Sequence, residues 1–251
     1  MRFSILTLNP GFFPGALDEG MIRVARQKGL LDVSVVAIRD FTDDRYGTTD
    51  DYPYGGGAGM VMKAEPILRA RESVRREAGA GSGGGRPRVL VTSPQGKVFT
   101  QSWARELALE GEMVVLCGRY KGIDERVIPL LGAEEVSVGD YVLSGGEPAA
   151  IVILDAVARL IPGVLGDQES AEADSFSEPL LDAPVYTRPE DVEGRHVPDV
   201  LLSGDHERIR LWRRREAIRR TWLKRPDLLL GRTLCQEDQK LLDEVKKEEE
   251  R

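Results

Sequence analysis

The chain has 251 residues, 41% of them hydrophobic, and a formal net charge of −7. That suffices for one large core or two modest ones, and no apolar run nears the roughly 20 residues of a membrane helix. The opening "MRFSILTLNPGFFPG" is too polar for a secretory leader, and Cys117, Cys235, His196 and His206 are too few for a disulfide framework or a structural zinc site, so a cytoplasmic protein is expected.

In chain order, "MRFSILTL" reads as a buried strand. "GALDEGMIRVARQKGLL" carries Leu17, Met21, Val24 and Ala25 at helical spacing, and "VSVVAI" returns to strand character. Residues 40–59 form a long polar loop rich in Gly, Tyr and Asp, of a length associated with function. "AEPILRARESVRREA" predicts a helix closed by the flexible "GAGSGGG", followed by a strand in "RPRVLVTS", a helix in "TQSWARELALE" and a strand in "GEMVVLCG". This alternation predicts an α/β fold with a parallel sheet. "ILDAVARLIPGVLG" reads as a closing helix. A polar, proline-punctuated linker follows, so the expected division is 1–165, a linker at 166–181 and a smaller helical domain at 182–251.

Residues 205–225, "DHERIRLWRRREAIRRTWLKR", carry nine Lys or Arg against three Asp or Glu, a local charge of +6 on an acidic chain. Arg213, Arg214, Arg215, Arg219 and Arg220 are therefore candidates for contact with a polyanion. A solvated helix face is the plainer alternative. Trp212 and Trp222, at helix-compatible spacing with Leu211 and Ile218, read as core.

Three glycine-bearing turns follow strands: "VTSPQGK", "LCGRYKGIDERV" and "VSVGDYVLSGGEPAA". In open α/β sheets ligands sit beyond the carboxyl ends of the strands, where these turns would meet. The third is no phosphate cradle, because Gly146 is followed by Glu147 and Pro148, an anion and a residue without an N–H, where a P-loop has Lys and Ser or Thr. A neutral or cationic ligand is expected instead.

Taken in order, "DYPYGGGAGM", "SPQG", "CGRY.GIDERV", "GDYVLSGGE", "IPGVLG", "DSF" and "YTRP" resemble the bacterial tRNA (guanine-N1) methyltransferases of TrmD type, of the SPOUT class, from Met1 to about Arg225. The resemblance implies a deep trefoil knot that holds S-adenosylmethionine. It also implies a homodimer with composite active sites, in which the linker and basic domain of one chain serve the donor site of the other, and methyl transfer to N1 of guanine 37, just 3′ of the anticodon. On this resemblance Gly118, Val138, Gly139, Asp140, Tyr141, Val142, Leu143, Ser93, Pro94, Gly145 and Pro148 would shape the donor pocket, with Gly55, Gly56, Gly57 and Gly59 as a flexible wall. Asp174 matches the general base that takes the N1 proton, Arg159 the cation that steadies charge developing towards O6, and Asp182 a supporting acid.

Without the resemblance, Asp174 reads as a helix N-cap and Arg159 as a helical partner of Asp155. Lys121 departs from the family pattern, which commonly has glutamate there, and this bears on donor affinity and on the magnesium dependence that is a family trait. Two other readings stay open: a related knotted methyltransferase acting on another RNA atom, and a noncatalytic RNA-binding protein.

Overall fold

The structure is a computed structural model that describes residues 1–78, 87–166, 175–176 and 178–249. It divides into two compact units, Met1–Gly166 and Asp167–Arg251.

The first unit is built on five parallel strands in the order β2-β1-β6-β5-β7, where β1 is Arg2–Thr7, β2 Asp32–Ala37, β5 Arg88–Val98, β6 Glu112–Cys117 and β7 Glu134–Ser137. The two-residue strands β3 (Asp50–Asp51) and β4 (Val61–Met62) pair antiparallel outside this sheet. Strands β1 and β6 are near-continuous apolar runs because both faces of the sheet are covered. Successive side chains alternate between the faces. Phe3, Ile5, Met113 and Val115 join Trp103 of α4 (Gln101–Ala108) and Ile153 of α6 (Glu147–Ala158) on one side. Leu6, Val114 and Leu116 join Ile67 and Val74 of α3 (Ala64–Ala78) and Val127 of α5 (Val127–Leu131) on the other.

Three elements differ from the sequence expectation. The first helical segment divides into α1 (Pro14–Leu17) and α2 (Gly20–Gln27), because Gly20 sits at φ +58°, outside right-handed helical space. The closing helix starts at Glu147 rather than at Ile153, with an acid and Pro148 in its first turn, and stops at Ala158, before Pro162. Strand β5 is longer than read. It pairs with Val136 of β7 at Thr92, leaves the ladder for four residues, and pairs with Val136 again at Lys97.

In the second unit, the hairpin β8 (Asp191–Val192) and β9 (Arg195–His196) precedes α7 (Asp199–Leu202), α8 (His206–Lys224) and α9 (Gln236–Glu249). Asp205 caps α8 by accepting from the Arg208 N–H at 3.1 Å. Leu180, Ile218 and Leu242 form a small core with Trp222, Leu234 and Leu241 packed against it. Among the described residues no helix is long and apolar enough to cross a membrane.

Candidate functional site

At the excursion within β5 and the carboxyl ends of β6 and β7 lies a cavity of about 410 Å³, walled mainly by three chain segments. The first is the excursion of β5, whose Thr92, Ser93, Pro94 and Gln95 line the cavity. It ends at Gly96, just before the ladder resumes at Lys97; an added Cβ there would stand 2.3 Å from the Val136 nitrogen, so only glycine fits.

The second wall is the loop after β6. The Gly118 N–H donates to Thr92 Oγ1 at 3.0 Å, and Tyr120 follows in the left-handed region at φ +61°. That conformation costs a non-glycine residue about 1–2 kcal/mol and is maintained here from outside. The Lys121 N–H donates to Met60 O at 3.0 Å, the Met62 N–H to Gly122 O at 3.0 Å and the Asp124 N–H to Met62 O at 3.0 Å, so residues 60–62 clamp the loop. Asp124 is then taken up by a two-pronged bridge to Arg126, at 2.8 and 2.6 Å, which holds its carboxyl below the usual range.

The third wall runs from Val136 to Gly146. Tyr141 folds back on its own turn, donating its hydroxyl to Val138 O at 3.2 Å, and Val142 and Leu143 present exposed apolar side chains. The Gly146 N–H donates to Gly118 O at 2.7 Å, joining the second and third walls. The first wall meets them at the same point, since a Cβ on Gly146 would fall 1.8 Å from Thr92 Oγ1.

Of the residues assigned to the donor pocket from the sequence, Ser93, Pro94, Gly118, Val138, Gly139, Tyr141, Val142, Leu143 and Gly145 line the cavity, and so does Lys121. Asp140 and Pro148 are not on its lining. Nor are Gly55, Gly56, Gly57 and Gly59, all exposed at positive φ, although a Cβ on Gly59 would lie 3.7 Å from that of Lys121. Arg159 caps the end of α6, half-buried and engaged in interactions of its own. Asp174 lies outside the described residues. The backbone of Asp182 is fixed on both sides: its N–H donates to Ser175 Oγ at 2.9 Å, and its carbonyl accepts from Arg220 at 3.4 Å.

Sequence reasoning missed Arg119, Tyr120 and Glu147. Glu147 is 2% exposed and accepts hydrogen bonds from Thr7 and Asn9. An acid followed by proline after a glycine turn is a helix-start signal, and that could have placed it. Cys117, at the end of β6, is buried. Burial, and then the nearby Glu147 charge, push its thiol above the ordinary range, so it is no ready nucleophile.

The cavity suits a sulfonium nucleoside. Its walls combine apolar side chains with backbone polar groups, include Glu125 and Glu135 alongside the cations Arg119 and Lys121, and carry no P-loop lysine–serine pair. Magnesium fits less well. Among the described residues no group of three or more His, Cys, Asp or Glu could hold a metal ion, and no step is assigned to one.

The arginines of α8 are mostly engaged within the second unit. Arg214 bridges the buried Asp238 at 2.7 Å through two nitrogens and Glu178 at 2.5 Å. Arg215 pairs with Glu216 and Glu248, and Arg219 pairs with Glu249 at 2.6 Å. Arg213 is exposed and has no ion pair among the described residues.

The family model described as tRNA (Guanine-1)-methyltransferase TrmD matches residues 1–231. Relatives named tRNA (guanine-N(1)-)-methyltransferase include one from Dictyoglomus turgidum, 50% identical over 99% of this chain and 98% of its own length. Another from Geobacillus kaustophilus is 50% identical over the full length of both, and one from Geobacter metallireducens is 52% identical over 98% of each. With matches of that extent, the chain belongs to the TrmD family of tRNA (guanine-1)-methyltransferases.

Proposed function

We propose that the chain transfers a methyl group from S-adenosylmethionine to N1 of a guanine in tRNA, at position 37. The observation that carries the reading is the cavity where three glycine-bearing segments meet, at the excursion of β5 and the carboxyl ends of β6 and β7, in a chain of this family.

The donor supplies an electrophilic methyl group on a good leaving group, so the protein's tasks are in-line positioning and handling of one proton. Val138, Tyr141, Val142 and Leu143 offer apolar walls to an adenosine. Gly118, Gly145 and Gly146 bring backbone close enough to read its edges. Asp174 accepts the N1 proton as the N1 lone pair bonds the methyl carbon, while the C–S electron pair returns to sulfur. Arg159 offsets charge developing at O6. Arg213, with any of the paired arginines the RNA can draw away from their acids, meets the phosphates.

The proposal includes a deep trefoil knot. Its support here is the crossing of Gly96 against the Glu135–Val136 peptide and of Gly146 against Thr92 and Gly118. It also includes a cytoplasmic homodimer with composite active sites, which light scattering and complementation between inactive Asp174 and Arg159 variants would test.

The decisive experiment is methyl transfer to tRNA transcripts with guanine at position 37 or replaced there, followed by nucleoside identification. The expected product is 1-methylguanosine from the first transcript and none from the second. Methylation of a ribose, or of both transcripts equally, would refute the reading.

A further inference from the structure

Glu147 is a fully buried carboxylate that the proposed chemistry leaves without a task. Its Oε1 accepts from Thr7 Oγ1 at 2.9 Å and from Asn9 Nδ2 at 2.9 Å, and Arg119 Nη1 stands 3.8 Å away. Thr7 also accepts from the Asn9 N–H at 2.9 Å, so the turn leaving β1 is built around this one acid.

These partners come from separate parts of the chain. Thr7 ends β1, Asn9 follows it, Arg119 belongs to the cavity loop after β6, and Glu147 itself begins α6. The Arg119 backbone forms an isolated antiparallel bridge with Gly145, another residue on the cavity. Gly145 has to be glycine for the acid to lie there, because an added Cβ would be 2.3 Å from Glu147 Oε2 and 3.4 Å from Arg119 Nη1. Burial of a carboxylate is costly unless its oxygens are paired, whereas helix initiation needs only an exposed acid. Something beyond the helix start therefore accounts for the burial.

We propose that Glu147 is a positioning residue for the cavity. It draws Arg119 and the loop 118–122 against Gly145 and the end of β1, and so fixes the distance between two of the three walls that would hold the methyl donor. The identity of the occupant rests on the function proposed above; the positioning role does not.

The test uses Glu147→Gln, Glu147→Ala and Asn9→Ala in the full chain. S-adenosylmethionine is titrated calorimetrically, and amide hydrogen exchange is followed at residues 118–122 and 139–146. Glu147→Ala leaves buried donors unpaired, so the donor dissociation constant should rise roughly tenfold or more, with faster exchange confined to those segments. Glu147→Gln keeps the acceptor at Oε1 and should recover most of the affinity, losing roughly two- to fivefold. Asn9→Ala should fall between.

A lower melting temperature with unchanged donor affinity and unchanged local exchange would mean a merely structural acid and overturn the inference. If Glu147→Ala does not fold, Glu147→Gln and Asn9→Ala carry the same comparison. Failure of the unaltered chain to bind the donor would instead overturn the proposed function, while the exchange rates still decide the positioning role.

Discussion

Replacing Gly96 with alanine puts one methyl group where β5 rejoins the sheet, and its consequence can be worked from three contacts. The added carbon would lie 2.3 Å from the nitrogen of Val136, 2.4 Å from the carbonyl carbon of Glu135 and 2.6 Å from that of Val136. To reach ordinary contact at 3.4 Å from the first, the strands must separate by about 1.1 Å. Every atom in the way is backbone, so no side-chain rotation can relieve the clash. The separation strains the ladder on that side, where Lys97 faces Val136 and the Phe99 N–H donates to Ser137 O at 2.7 Å. Overpacking of this kind costs about 1–3 kcal/mol, and a weakened hydrogen bond adds about 1 kcal/mol. For a chain of this size the loss corresponds to a melting temperature lower by roughly 4–16 °C. Thermal unfolding followed by circular dichroism measures it, beside Gly111→Ala, whose added carbon meets nothing within 4 Å. Donor affinity should fall with stability in Gly96→Ala, since Ser93, Pro94 and Gln95 on the cavity wall hang from the same re-entry point. Equal melting temperatures for the two variants would refute the reasoning.

Asp174→Ala should leave donor binding near normal while methyl transfer falls by roughly 10²–10⁴, and Arg159→Lys should recover little of the rate lost in Arg159→Ala; near-full activity in steady-state assays would sink the assignments. Arg213→Glu should weaken tRNA binding and flatten its salt dependence, with stability unchanged, in filter binding at several salt concentrations. Arg214→Ala should instead destabilise the second unit by roughly 3–5 kcal/mol, because it strands Asp238 in a buried position. The Arg214 hydrogen bonds hold the Asp238 carboxyl below the ordinary aspartate range. That pair's contribution is therefore fully present above the ordinary aspartate range and lost as pH falls below it, through the depressed folded value, which acid unfolding of Asp238→Asn against the unaltered chain would reveal. Lys121→Glu should weaken tRNA most at low salt and leave both S-adenosylmethionine and its demethylated product alone; selective tightening of the sulfonium in calorimetry would show the ammonium pointing into the cavity.

The alternation of strands and helices was readable because the sheet is parallel and covered on both faces, which makes β1 and β6 near-continuous apolar runs between amphipathic segments. The strand order was not, since nothing local in "GEMVVLCG" says that β6 will lie between β1 and β5. The cavity was legible at its glycines, where close backbone approach admits no other residue. Arg119 and Glu147 escaped because the burial of this acid depends on a half-buried arginine 28 residues away, and at sequence level Glu147 is simply an acid beside proline. The basic segment was legible as charge but not as pairing. Counting charge in one helix cannot reveal that the acids of α9 fold back onto Arg210, Arg214, Arg215 and Arg219.

The central place of β6 has a consequence for synthesis. Strands β1 and β2 can pair as soon as Ala37 has left the ribosome, but the inner edge of β1 waits for Cys117, about 80 residues later. At roughly 5–20 residues per second that interval lasts roughly 4–16 s, during which an apolar strand edge stands unpaired. Contacts such as Thr7 to Glu147, 140 residues apart, close later still, so the chain should fold slowly for its stability and profit from a chaperone that shields its first 37 residues.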